Sequence, residues 1–326
     1  MTVRHFHHFA LGVPDVEAQK TFYEDFGLVE HANGNGANGN GTTLRCVGRD
    51  QDQVVLVESK ERTLHHLSFG ATPEGLTAVQ KRAEAYPGVH LVDMPNATPY
   101  DGIWFTDQDG MLYNVHVSEA APSNGGLAPH QAGLPFRTNG PGHYARINKK
   151  GSIDADARVV PHRLGHLIHF TPDLEAKLAF YQNVLGLVMS DRSEHLIAFL
   201  RPPGGSDHHV IAIIQDEKIG FHHASFEVDD IDRIGLGGQN MIRKGYRNGW
   251  GVGRHALGSN FFWYIRDPHG GLAEYFCDID YIADDAQWEA KNWPLDVSFY
   301  VWGPEPPPEF AQNFEGVTKA VKPRPL

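Results

Sequence analysis

The sequence predicts an α+β fold of two tandem modules, each made of two βαβββ units curved into a half-open barrel. Three observations predict it. The chain repeats itself, because His8 opens His-Phe-Ala-Leu-Gly-Val-Pro-Asp and His166 opens His-Leu-Ile-His-Phe-Thr-Pro-Asp, each with Pro six residues on and Asp next. Later landmarks keep the same spacing: the intervals from His8 to His166, His66 to His223 and Trp104 to Tyr264 are 158, 157 and 160 residues. Each half then divides again into a strand, a helix and short β-branched or aromatic runs bounded by Gly, Asp and Asn. A duplicated module of about 120 residues accounts for all three.

The elements follow in order. In the first module, residues 1–120, a strand from His8 leads into a helix carrying Ala18, Phe22, Tyr23 and Phe26, and Gly27 ends it. The strands Leu44–Val47, Val54–Glu58, Trp104–Thr106 and Leu112–Val117 come next. In the second module, residues 161–280, the matching helix runs through Leu178, Phe180, Tyr181 and Leu185 to Gly186. Pro at a helix start and Gly at its end are the usual punctuation. Residues 121–160, rich in Pro, Gly and Asn, are expected to link the modules. The Asn/Gly tract from Asn33 to Gly41 reads as a flexible hairpin loop. The tail, residues 281–326 with Trp288, Trp293, Trp302 and Pro306 to Pro308, is expected to pack over a module or a neighbouring subunit.

Composition excludes several partners. With a net charge of -12 the chain is a poor match for nucleic-acid phosphates or an anionic membrane surface. No apolar run approaches the roughly 18–20 residues that span a bilayer. The first residues go straight into strand-like alternation, so no signal peptide is expected. Cys46 and Cys277 are the two cysteines and lie far apart in sequence, which implies no disulfide framework and fits a reducing cytoplasm.

Histidine is the anomaly. Twenty are present, including the pairs His7-His8, His65-His66, His208-His209 and His222-His223, so a two-histidine pattern alone means little. Strand-like context raises His166, one member of the His222-His223 pair, and Glu274. Two imidazoles and a carboxylate on one face of a metal leave other positions open, the ligand set of non-haem ferrous oxygenases. Adjacent side chains of a strand point to opposite faces, so one His of each pair faces a cavity, and the repeat alone does not choose which. His169, three residues after His166, belongs on the opposite face.

The run Gly253-Arg-His255, seven further residues, Trp263-Tyr264-Ile-Arg-Asp267-Pro268-His-Gly270 and then Glu274 resembles the signature of extradiol ring-cleavage dioxygenases of the vicinal oxygen chelate superfamily. The resemblance covers both modules, roughly residues 3–280, and departs mildly at Trp263, where that family has an aliphatic residue or Phe. It implies the glyoxalase-like form of the fold predicted above. It selects His223 over His222 and makes His166, His223 and Glu274 the ligands of Fe(II), with Mn(II) also compatible. His209, followed three residues later by Ala212, would be the acid/base, its competitor His208 facing outward. An imidazole suits that work because its unperturbed pKa lies near neutrality. His255 and Tyr264 would hydrogen-bond substrate oxygens. The implied reaction opens a catechol ring beside its diol with both atoms of O2, giving a hydroxymuconic semialdehyde type of product. Homo-oligomers are usual in the family.

The first module tests this assignment. It keeps His8 and His66, but Asn114 stands where Glu274 would be, Trp104 where Tyr264 would be and Asp52 where His209 would be. No functional metal is expected there. Rival readings on the same scaffold are a glyoxalase-like isomerase and a metal-free small-molecule binding protein. The acid/base His and the Tyr around a full ligand set argue against the binding protein, and the isomerases usually draw their ligands from a different module pairing, often four of them.

Overall fold

The computed structural model describes residues 2–31, 41–95, 100–119, 139–148 and 158–316. The Asn/Gly tract up to Asn40 and most of the predicted linker lie outside them. In the first half, β1 (Val3–Val13), α1 (Val16–Phe26), β2 (Val29–Glu30), β3 (Gly41–Arg45) and β4 (Val54–Glu58) form one unit. The next is β5 (Thr63–Ala71), α2 (Pro73–Ala85), β6 (His90–Val92), β7 (Ile103–Thr106) and β8 (Leu112–Val117). The second half repeats the pattern with β9 (Arg163–Thr171), α3 (Leu174–Phe180), β10 (Val188–Ser193), β11 (Ile197–Arg201), β12 (Ser206–Asp207) and β13 (Ile211–Gln215). Its last unit is β14 (Gly220–Glu227), α4 (Ile231–Arg243), β15 (Arg247–His255), β16 (Phe261–Arg266) and β17 (Leu272–Cys277).

Within each half the units join antiparallel, at β1/β5 and β9/β14. Inside a unit the last strand returns parallel to the first, as β4 does beside β1 and β17 beside β14. The predicted helix starts need one correction. Asp15 and Asp173 are the N-caps, accepting from the Ala18 and Ala176 amides at 2.9 and 3.0 Å, and the prolines sit just outside them. Gly27 ends α1 at φ 118°, where a Cβ would lie 2.3 Å from the Val159 carbonyl oxygen.

Aromatic stacking and two buried ion pairs hold the halves together. Phe26 stacks on Tyr275 at 3.7 Å and Phe9 on Phe221 at 5.4 Å. Asp107 and Asp267 each tie their own Asp-x-x-Gly turn through backbone amides. Each also meets a fully buried cation from the other half, Lys177 for Asp107 and Arg62 for Asp267. The Trp263 departure is accommodated by α4, where a Cβ on Gly238 would lie 2.3 Å from the indole. Trp263 thus packs on bare helix backbone.

The tail packs back on the second half. β18 (Tyr281–Ile282) pairs with β12, β19 (Asn292–Trp293) with β10, and β20 (Tyr300–Trp302), after the short helix α5 (Leu295–Ser298), with β15. It thereby extends both edges of the second sheet. Among the described residues no helix is long and apolar enough to cross a membrane.

Candidate metal centre

Strand register builds the site. Across four neighbouring strands His166 pairs with Ser225, Ser225 with Glu274, and Glu274 with Tyr264, which sets their side chains in one row. His223 lies two residues before Ser225 and shares its face. Nε2 of His166 is 3.1 Å and Nε2 of His223 3.5 Å from Oε2 of Glu274. The three ligand atoms lie within 4.8 Å of one another, and all three residues are buried. Donors on adjacent corners of a first-row dication, at bonds of about 2.1 Å, sit about 3 Å apart, so this set fits one.

The tautomer of His223 fits as well. The Phe310 carbonyl accepts from Nε2 of His222 at 2.9 Å, so Nδ1 of His222 is an acceptor for Nδ1–H of His223 at 2.6 Å. That leaves Nε2 of His223 bare, and it has no hydrogen-bond partner although it is buried. A backbone carbonyl and an outer imidazole thus aim a lone pair at the space beside Glu274. Burial holds His223 well below the ordinary histidine range, with neighbouring imidazoles adding to the effect. Glu274 also accepts from the Ser225 hydroxyl and, at 3.1 Å, from the Asn260 amide.

His209 stacks obliquely on His166 with ring centroids 4.3 Å apart. Burial first, and then His166, push it well below the ordinary range. The Phe299 carbonyl accepts from Nδ1 of His255 at 2.9 Å, so Nε2 of His255 accepts from the Tyr264 hydroxyl at 2.8 Å. Burial and the Glu274 charge raise Tyr264, keeping it a neutral donor. These groups face one cavity of about 380 Å³, walled largely by Ile168, Leu196, Ile197, Phe199, Leu257 and Phe299.

One expectation from strand parity fails. His222 was assigned to the opposite face, but a bulge between Phe221 and His223 swings its ring beside His223 and into the cavity lining. His208 stays out of the cavity lining that His209 enters, as expected, but Asp191 and Trp288 cover it, so it is buried rather than exposed. His208 and His209 lie in the bend between β12 and β13, where alternation does not apply. His169 does lie apart from the cavity, bonded to the Tyr181 hydroxyl at 2.7 Å. Sequence reading missed Ser225, Asn260, Phe299 and Phe310, though Ser225 carried a signal. It repeats as Ser68 in the two His-His-x-Ser runs.

The first half shows what replaces the site. Nε2 of His8 and Nε2 of His66 bond each other at 2.9 Å, each ring being backed through Nδ1 by its neighbour, His7 or His65. Ser68 donates to Asn114 as Ser225 does to Glu274, and Tyr100 packs against His8 at 4.2 Å. Asp52 is taken up by Arg45, His31 and Tyr100. Among the described residues the one cluster with metal-ligand spacing is His166, His223 and Glu274.

Paired βαβββ units with a two-His, one-carboxylate cluster define a metal-binding protein of the glyoxalase-like class. Residues 163–275 match the family model of the Glyoxalase/Bleomycin resistance protein/Dioxygenase superfamily. The chain is 36% identical over 310 residues to metapyrocatechase 2 of Cupriavidus necator, covering 94% of this chain and 91% of that one. The chain therefore belongs to the extradiol dioxygenases of this superfamily. Solved structures share the fold: a Mn(II)-bound glyoxalase from Novosphingobium aromaticivorans has a TM-score of 0.72 at 24% identity over 93% of this chain and 91% of its own. A halotolerant catechol dioxygenase has a TM-score of 0.71 at 19% identity, over 96% and 98%.

Proposed function

We propose that this enzyme opens the ring of an apolar catechol beside its diol, using O2 and Fe(II), and releases a hydroxymuconic semialdehyde type of product. His166, His223 and Glu274 hold the metal, and His209, His255 and Tyr264 act on the substrate and oxygen. The observation that carries this reading is the bare, buried Nε2 of His223 facing Glu274, beside a second imidazole. Ferrous iron held by these residues would supply Lewis-acid and redox chemistry for diol and dioxygen. Mn(II) accepts the same donors.

The protein's own groups do the rest. Glu274 brings one negative charge into a buried site and is fixed by Ser225 and Asn260. His209 takes a catechol hydroxyl proton and later returns it, work suited to an imidazole with a free nitrogen. Tyr264, whose proton goes to His255, accepts from a substrate hydroxyl through its oxygen, and the apolar wall excludes water and seats the ring. Residues 161–280 are the catalytic unit and residues 1–120 its non-catalytic counterpart. Exposed Leu295, Val297, Val301 and Trp302 on the tail support assembly into a homo-oligomer, and the unpaired, buried Cys46 and Cys277 are compatible with a cytoplasmic setting.

The test is oxygen uptake by protein loaded anaerobically with ferrous iron and given a panel of catechols. Stoichiometric uptake with a yellow ring-opened product is expected. Colourless solutions across the panel would overturn the proposal.

A further inference from the structure

Behind His209 stand two buried groups with no part in the function above. Asp191, on β10, accepts at Oδ1 from the Lys291 amide at 2.7 Å and the Trp293 indole at 3.1 Å, both from the tail. Its Oδ2 lies 3.0 Å from Nε2 of His208, and Nδ1 of His208 lies 3.0 Å from Nδ1 of His209. An ionised carboxylate only accepts hydrogen bonds, so the His208 proton sits on Nε2. Nδ1 of His208 is then an acceptor, Nδ1 of His209 carries hydrogen, and Nε2 of His209 presents its lone pair.

The joint is also pinned in space. The His208 amide donates to the Asp280 carbonyl at 2.7 Å, and Ser190 bonds the His208 carbonyl. Gly258, at φ 83°, closes over both rings, where a Cβ would be 3.3 Å from Cε1 of His209 and 3.5 Å from Nδ1 of His208. The half without the ligand cluster lacks this chain. There Asp52 stands at the His209 position, and Gln51, at the His208 position, donates instead to the His7 carbonyl at 2.7 Å.

We propose that Asp191 and His208 are positioning residues for ring cleavage, fixing His209 in the tautomer whose bare Nε2 faces the substrate. This rests on the reading of His209 as the acid/base.

The decisive variant is Asp191→Asn. The two tail N–H donors claim the new Oδ1, so the amide NH2 faces His208 and forces its hydrogen onto Nδ1. Two donors then meet at the joint, and His209 flips to the tautomer with hydrogen on Nε2. With catechol as substrate, kcat should fall about 10²-fold, while KM and iron per chain stay near wild type. His208→Leu should lose as much. His208→Asn, which keeps an acceptor near the Nδ1 position, should recover about tenfold of that loss. In the His208→Leu background, adding Asp191→Asn should cost under about twofold more, because the chain is already cut.

Wild-type kcat in Asp191→Asn would overturn the proposal. So would a His208→Asn no better than His208→Leu, or losses that multiply in the double variant or fall on KM or iron content. Wild-type enzyme that yields no ring-opened product would instead sink the functional reading beneath it.

Discussion

A graded series of substituted catechols probes the cavity directly. Away from the histidines, Tyr264 and Asn260 the wall is mostly aliphatic and aromatic, with Ser193 and Ser298 among it, and no Lys or Arg is among the residues that line it. Each methylene moved from water onto such a wall contributes about 0.8 kcal/mol, roughly fourfold in kcat/KM. A propyl group at one ring position should therefore gain about 2.4 kcal/mol, or about 60-fold, over unsubstituted catechol. A carboxylate at the end of that chain would be buried without a counter-charge, which costs several kcal/mol. It should fall at least about 10²-fold below its alkyl isostere. Initial rates of oxygen uptake for hydrogen, methyl, ethyl, propyl and carboxyethyl substituents give the comparison. A flat alkyl series, or a carboxylated catechol as good as the propyl one, would refute the reasoning.

Other perturbations follow from the same geometry. Tyr264→Phe removes the donor to Nε2 of His255, leaving a buried acceptor unpaired. It should lower stability by about 1–3 kcal/mol and kcat by at least about tenfold at unchanged iron content, and unchanged turnover would contradict the role given to the hydroxyl. Lys177→Met strands Asp107 and Asp109, the latter 2.8 Å away, in the interface between the halves. The urea midpoint should drop by the equivalent of about 3–5 kcal/mol, and no drop would mean that the pair does not hold the interface. Acid should destabilise the fold early. Burial lowers His5, His7, His116 and His169 to about 4, 2, 4 and 3, below their unfolded value of 6.5. The unfolded chain then binds more protons below about pH 6.5, so stability falls as pH drops through that value toward 4, by up to about 1.4 kcal/mol per pH unit for each histidine. Equal urea midpoints at pH 7.5 and 5.5 would exclude this.

Much of the site was legible because duplication made the chain its own control. The intervals between His8 and His166 and between His66 and His223 mark matching strand positions, and register then aligns Ser68 with Asn114 and Ser225 with Glu274. The single change from Asn114 to Glu274 therefore falls at one structural point. Parity reasoning worked for His169, which sits in a regular strand. It failed for His222 because a bulge broke the alternation, and a bulge has no reliable sequence mark. The tail carbonyls of Phe299 and Phe310 were invisible for another reason. Backbone groups carry no residue signature, and it is the tail's return across the sheet that brings them to His255 and His222.

The central claim is that one module reacts and its twin does not. Metal analysis of the same protein preparation, loaded with ferrous iron and then desalted, tests it most directly. The account predicts about one iron per chain in the wild type and almost none in Glu274→Gln, because His8 and His66 already bond each other in the first module. Two tightly held ions per chain, or full iron content in Glu274→Gln, would contradict it.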